Sequence, residues 1–97
     1  MKINIIRATV KEANEVADLF NLYRQFYKYS SNLKESKRYI SERLQNEESI
    51  IFIARSEKKE ALGFVQLYET FGSLHMGKIV ILYDLYVKRE YRKIGIA

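Results

Sequence analysis

A chain of 97 residues is expected to form one domain, because cores of this size rarely divide, and folding at this length buries roughly two-thirds of the unfolded surface. Hydrophobic residues make up 47% and charged residues 30%, a balance that excludes intrinsic disorder. Cysteine is absent, which excludes disulfides and cysteine-bound zinc, and the 17 Lys+Arg against 12 Asp+Glu leave a net charge of +5 that tolerates an anionic partner.

Met1-Lys2-Ile3-Asn4 carries no apolar signal region, and no run approaches the roughly 18 apolar residues of a membrane span. A cytoplasmic protein with no membrane role is therefore expected, and the lack of cysteine suits a reducing compartment. Ile3 to Ala8 is a short apolar run suited to a strand. Thr9-Val10-Lys11-Glu12 then matches a capping box, in which hydroxyl and carboxylate satisfy the orphan N–H groups of a helix start. Ala13, Val16, Ala17, Phe20, Tyr23 and Tyr27 recur at three- and four-residue steps, which predicts a helix to about residue 28. Tyr29-Ser30-Ser31 breaks it. Asn32 offers a second cap, and Ser36, Ile40 and Leu44 mark one face of a shorter helix.

The pattern then turns to strands. Ile50 to Ala54 is a continuous apolar run, as expected where both faces of a strand are covered. Ser56 to Glu60 reads as a charged turn, and Ala61 to Glu69 as the next strand, with Gly63 marking a bulge or a close backbone approach. Thr70 to Gly77 reads as a loop and Lys78 to Lys88 as a long strand. The order strand, helix, helix, strand, strand, strand implies an α+β fold with a mixed, mainly antiparallel sheet in a single domain over residues 1–97.

Chemistry concentrates near the end of the chain. Lys88, Arg89, Arg92 and Lys93 crowd into one turn, whereas the other basic residues are scattered among acids. In Arg92-Lys93-Ile94-Gly95-Ile96-Ala97 the glycine admits positive φ, and small residues at 95 and 97 leave N–H groups free to form a phosphate-binding nest. Asp84 is the one carboxylate inside the apolar run Ile81 to Val87, which fits either an amine-binding base or a carboxylate satisfied by backbone or Arg hydrogen bonds. Tyr83 beside it reads as packing or rim. His75 is the sole histidine and lacks partners for a triad or a metal site. Most of the eight tyrosines, including Tyr23, Tyr27, Tyr39 and Tyr68, fall at core spacing rather than forming a base-stacking platform.

Element order together with these motifs resembles the GNAT superfamily of acyl-CoA-dependent N-acetyltransferases. Arg92, Gly95 and Ala97 match its Arg/Gln-x-x-Gly-x-Gly/Ala loop. Tyr83-Asp84-Leu85-Tyr86-Val87, Glu90-Tyr91-Arg92 and Gly63-Phe64-Val65 look like segments of small-molecule amine acetyltransferases, including the polyamine-acetylating branch, and Ile6-Arg7-Ala8-Thr9 is similar to many members' opening. The resemblance implies acetyl-CoA as co-substrate and direct attack by a primary amine, on a small molecule or a protein, with no acyl-enzyme. It implies that backbone groups of Leu85, Tyr86 and Val87 pair with the pantetheine arm. It further implies that residues 92–97 (Arg92, Lys93, Ile94, Gly95, Ile96 and Ala97) hold the pyrophosphate and that Asp84 is the catalytic candidate. Tyr27 and Tyr29, at the end of the first helix, are the acceptor-pocket candidates, and no metal is implied. The family fold continues with a third helix, a fifth strand and a closing segment, and its thiolate-protonating Tyr lies in that part. The chain is accordingly expected to be the front of the fold, weak or inactive alone, and to dimerise through an exposed fourth strand. Two alternatives stand beside this: a non-catalytic self-associating fragment, and, ranked third, a basic nucleic-acid binder.

Overall fold

Four strands and two helices follow one another in the expected order. The computed structural model describes residues 2–96. Its elements are β1 (Ile3–Arg7), α1 (Ala13–Phe26), α2 (Leu33–Gln45), β2 (Ile50–Ser56), β3 (Ala61–Gly72) and β4 (Gly77–Val87). The strands form one sheet in the order β1-β2-β3-β4, every neighbouring pair antiparallel.

Local signals set the helix ends. The Thr9 N–H donates to Glu12 Oε1 at 2.7 Å while the Thr9 hydroxyl accepts from the chain ahead, so the capping box forms and a 3-10 turn, Val10–Glu12, leads into α1. That N–H holds the Glu12 carboxyl below the usual carboxylate range. Asn32 Oδ1 accepts from the Glu35 N–H at 3.1 Å and starts α2. Each helix ends in a turn with a left-handed non-glycine residue, Lys28 (φ 72) after α1 and Glu47 (φ 51) after α2. After α1 the Tyr29 N–H bonds the Arg24 carbonyl and the Lys28 N–H bonds the Gln25 carbonyl, the paired bonds of a Schellman turn.

The helices cover one face of the sheet. Val16, Ala17 and Leu19 of α1 and Ile40 and Leu44 of α2 meet Ile51, Ile53 and Phe64 in a single core. Arg55 on β2 ties the layers together, donating from Nε to Glu15 of α1 at 2.7 Å. Buried Asn21 fixes the connection between the helices, donating to Ser31 Oγ at 3.0 Å and accepting from the Asn32 N–H at 2.8 Å.

The opposite face is open among the described residues. Ile5, Leu82 and Leu85 are exposed there beside half-buried Phe52, so β2 is covered on one face and not on both as its apolar run implied. The β3–β4 hairpin also differs from expectation. Thr70 and Phe71 pair with Ile79 and Lys78, so the strands run on to Gly72 and Gly77 and the loop shrinks to a short turn that carries His75 in the open.

Two register shifts shape the end of the hairpin that matters. Ala54 pairs with Gly63 but Arg55 with Ala61, which leaves Leu62 as an extra residue on β3 beside Gly63. A Cβ on Gly63 would lie 2.6 Å from the Tyr86 carbonyl oxygen, so only glycine lets β4 approach this closely. On β4, Gln66 pairs with Asp84 but Leu67 with Leu82, leaving Tyr83 unpaired. This bulge turns Leu82 and Leu85 onto the open face while Asp84 and Tyr86 point at the helices.

Candidate active site

Asp84 is 8% exposed, and both its oxygens have partners. Tyr23 Oη of α1 donates to Oδ1 at 2.9 Å, and Gln66 Nε2 of β3 donates to Oδ2 at 2.8 Å. Gln66, fully buried, accepts in turn from Ser49 Oγ at 2.7 Å, which fixes its amide so that the NH₂ end faces Asp84. The carboxylate is thus held by a phenol and an amide, neither of the partner types foreseen from sequence. Each carboxylate oxygen keeps a second acceptor direction, so Asp84 retains capacity for a proton donor. Burial foremost, and then the bond to Asp84, push the Tyr23 phenol up to about 12, so it is a donor at neutral pH.

Tyr23 joins Asp84 to the acceptor candidates. Its ring lies 5.3 Å edge-on from Tyr27 and 6.2 Å from Tyr86. Tyr23, Arg24, Tyr27 and Tyr29 line one recess at the C-terminal end of α1. The Schellman turn brings Tyr29 back beneath Arg24, whose guanidinium carbon lies 5.1 Å from its ring centre. Tyr27 and Tyr29 are exposed, whereas Tyr39 and Tyr68 face inward and bond each other at 2.8 Å. Burial, with that bond, raises the Tyr68 phenol well above its ordinary range. Tyr83 is 70% exposed and packs edge-on against Tyr68.

The cofactor candidates fall on two sides of the sheet. Leu85 and Val87 line a groove of ≈ 220 Å³ on the open face, joined by Ile96 from the terminal loop. Tyr86 faces the helices instead. Beyond β4 a single 3-10 turn, Arg89–Tyr91, leads to the loop, where Lys93 (φ 66) and Gly95 (φ 86) are left-handed. No atom stands within 4 Å of a Cβ built on Gly95, so backbone conformation rather than crowding selects glycine there. Lys93, Ile94 and Gly95 are exposed. Arg92 turns inward: its Nε donates to the Val87 carbonyl at 2.8 Å, and its guanidinium lies 4.9 Å from the Phe26 ring and 5.4 Å from Tyr86. Ala97 lies outside the described residues.

A pantetheine arm and a pyrophosphate would meet a partly free strand edge and a loop here. β4 is the outer strand, so its outward backbone groups have no strand partner among the described residues, and the loop beside it presents left-handed residues and the Lys93 charge. The Val87 carbonyl is already taken by Arg92.

A bulged outer strand with a buried carboxylate, followed by a basic glycine loop, is the architecture of an acetyltransferase fold. A solved probable acetyltransferase, 38% identical, superposes with a TM-score of 0.86 over 92% of this chain and 60% of its own. The acetyltransferase (GNAT) family matches residues 16–97, and the chain belongs to that family. It is 44% identical over 93 residues to the uncharacterized N-acetyltransferase YhfO of Bacillus subtilis (strain 168), covering 96% of this chain and 62% of that protein. A predicted acetyltransferase of Clostridium acetobutylicum, solved with acetyl-CoA, shares the fold with a TM-score of 0.78 at 18% identity, over 98% of this chain and 66% of its own. The chain spans about three-fifths of the length of YhfO and of the solved probable acetyltransferase.

Proposed function

We propose that these residues form the acceptor side and part of the cofactor side of an N-acetyltransferase that moves an acetyl group from acetyl-CoA to a primary amine. The observation that carries it is the placement of Asp84. It sits one residue before Leu85, beside the strand end and glycine loop suited to the cofactor, and Tyr23 links it to a tyrosine recess suited to an acceptor. Acetyl-CoA supplies the thioester. The chain's residues bind, orient and accept a proton. As the amine nitrogen bonds to the acetyl carbon, its surplus proton passes to an open acceptor direction on an Asp84 oxygen, and the carbon–sulfur bond breaks to release the thiolate. Gln66 and Tyr23 keep Asp84 from turning, and the outward backbone groups of Leu85 with the loop from Arg92 to Ile96 hold the carrier.

Calorimetric titration with acetyl-CoA tests this, with Gly95→Glu as control. Saturable binding that the substitution abolishes supports the assignment. A folded chain that gives no heat, or a variant that binds as well as the parent, refutes it. A second reading, self-association through β4, is favoured by the exposure of Val80, Leu82 and Leu85 on an outer strand. It predicts a concentration-dependent dimer in sedimentation velocity that Leu82→Lys dissolves. A monomer at all concentrations removes it.

A further inference from the structure

We infer that the acceptor is an amine that also carries a carboxylate on an apolar or aromatic body, with Arg24 as the residue that selects it, and that it is not a polyamine; this rests on the acetyl-transfer reading and names its substrate class.

The recess offers one unspent cation. Arg24 carries five N–H donors and uses one, Nη1 to the Ser30 carbonyl, at a long 3.3 Å. Among the described residues it forms no ion pair, and Glu35, which shares a neighbouring groove with it, is taken by Arg38 at 2.8 Å. Its orientation is set by the Tyr29 ring beneath it and by the Schellman turn that places that ring. The loop below is pinned by Asn21 through Ser31 and Asn32. A planar guanidinium held this way with free N–H groups suits a carboxylate, which it can meet with paired hydrogen bonds.

A second ammonium has no comparable place. Aromatic faces attract cations, but three of those near this end of the molecule already carry the protein's own guanidiniums. Arg24 lies over Tyr29, while Arg92 lies over both Phe26 and Tyr86. The acid this recess reaches is Asp84, through Tyr23, and the amine to be acetylated claims it. Lys28, exposed next to Tyr27 and Tyr29, adds positive charge. A polyamine would set its remaining ammonium groups against Arg24 and Lys28 without a counter-charge. An amine with a carboxylate at its other end would meet one charge of each sign, with the Tyr23 and Tyr27 rings along its body.

Nuclear magnetic resonance titration of the isotope-labelled chain, without acetyl-CoA, reads this directly with three probes. Phenylalanine and phenethylamine share a body and differ in the carboxylate, and spermidine stands for the polyamines. Phenylalanine is expected to shift the Arg24, Tyr27 and Tyr29 amides and to bind about tenfold more tightly than phenethylamine, the effect of one partly exposed charge-assisted contact. Arg24→Gln should erase that difference, and Arg24→Lys should keep part of it. Amide dispersion confirms that each variant is folded. The inference is overturned if spermidine or phenethylamine binds as tightly as phenylalanine, if none of the three binds, or if folded Arg24→Gln keeps the discrimination. An Arg24 that only clamps its loop gives the last result. Discrimination without acetyl-CoA binding in the calorimeter would remove the acetyl-transfer reading and leave a carboxylate-selective recess. The reverse result would remove only the acceptor class.

Discussion

Gln66→Glu changes one atom of the buried chain that runs from Ser49 to Tyr23 through Asp84. The substitution keeps the Oε1 that accepts from Ser49 and replaces the NH₂ that donates to Asp84 at 2.8 Å with a second carboxyl oxygen. Two carboxyl groups at that distance cannot both ionise, and the site is fully buried. Protonated, the new carboxyl donates to Asp84 much as the amide does, at a cost of about 1 kcal/mol for imperfect geometry. Burial and like charge raise its folded pKa by about three units above the ordinary ~4.3, which corresponds to about 4 kcal/mol. A raised folded pKa means that stability is fully present below about pH 4 and is lost as pH climbs toward about 7. Urea unfolding followed by circular dichroism at pH 4.5 and pH 8 should therefore give a variant within about 1 kcal/mol of the parent at the lower pH and about 5 kcal/mol weaker than the parent at the higher. An equal loss at both pH values would refute the hydrogen-bonded contact between Gln66 and Asp84.

Tyr23→Phe removes the phenol pushed up to about 12. Because the raised value favours the folded protonated form, the parent should lose stability between about pH 10 and pH 12 in excess of the variant, and an absorbance titration of the variant should lack one late-titrating tyrosine. Coincident curves would contradict the bond to Asp84. Lys28→Gly relieves a left-handed residue at φ 72 in the turn that closes α1 and is expected to raise stability by about 0.5 kcal/mol after the added unfolded-state entropy. A loss in urea unfolding would mean that the lysine stem contributes packing that outweighs the strain.

What the sequence made legible was local. Thr9 with Glu12 and Asn32 with Glu35 announce helix starts because their bonds span three residues, and the structure places both where the pattern does. Gly63 between apolar neighbours signals the close approach of β4. Pairing was harder to foresee. Gly72 and Gly77 read as loop punctuation, yet the strands extend to them because Thr70 and Phe71 find partners across the hairpin. The unpaired Tyr83 depends on the register of β3 and leaves no mark on β4 alone. Tyr23 has the spacing of a core residue, and nothing near it in the chain reveals a bond to a carboxylate 61 positions away. Gln66 was missed although its signal matched that of Asp84: a lone polar side chain in an apolar strand must find a buried partner, and these two find each other.

Arg92 has a thermodynamic consequence of its own. It rests on Phe26 and Tyr86, and those rings continue through Tyr27 to Tyr23, so one aromatic chain runs from the glycine loop to the recess at the end of α1. An anion that draws the guanidinium off Phe26 and Tyr86 leaves both rings free to repack against Tyr27 and Tyr23. The affinity of the recess for its own ligand then differs with the loop filled or empty, and linkage requires the reverse effect to have the same size. The ligand of the loop and the ligand of the recess would sense each other through a stack of rings, with no moving domain between them.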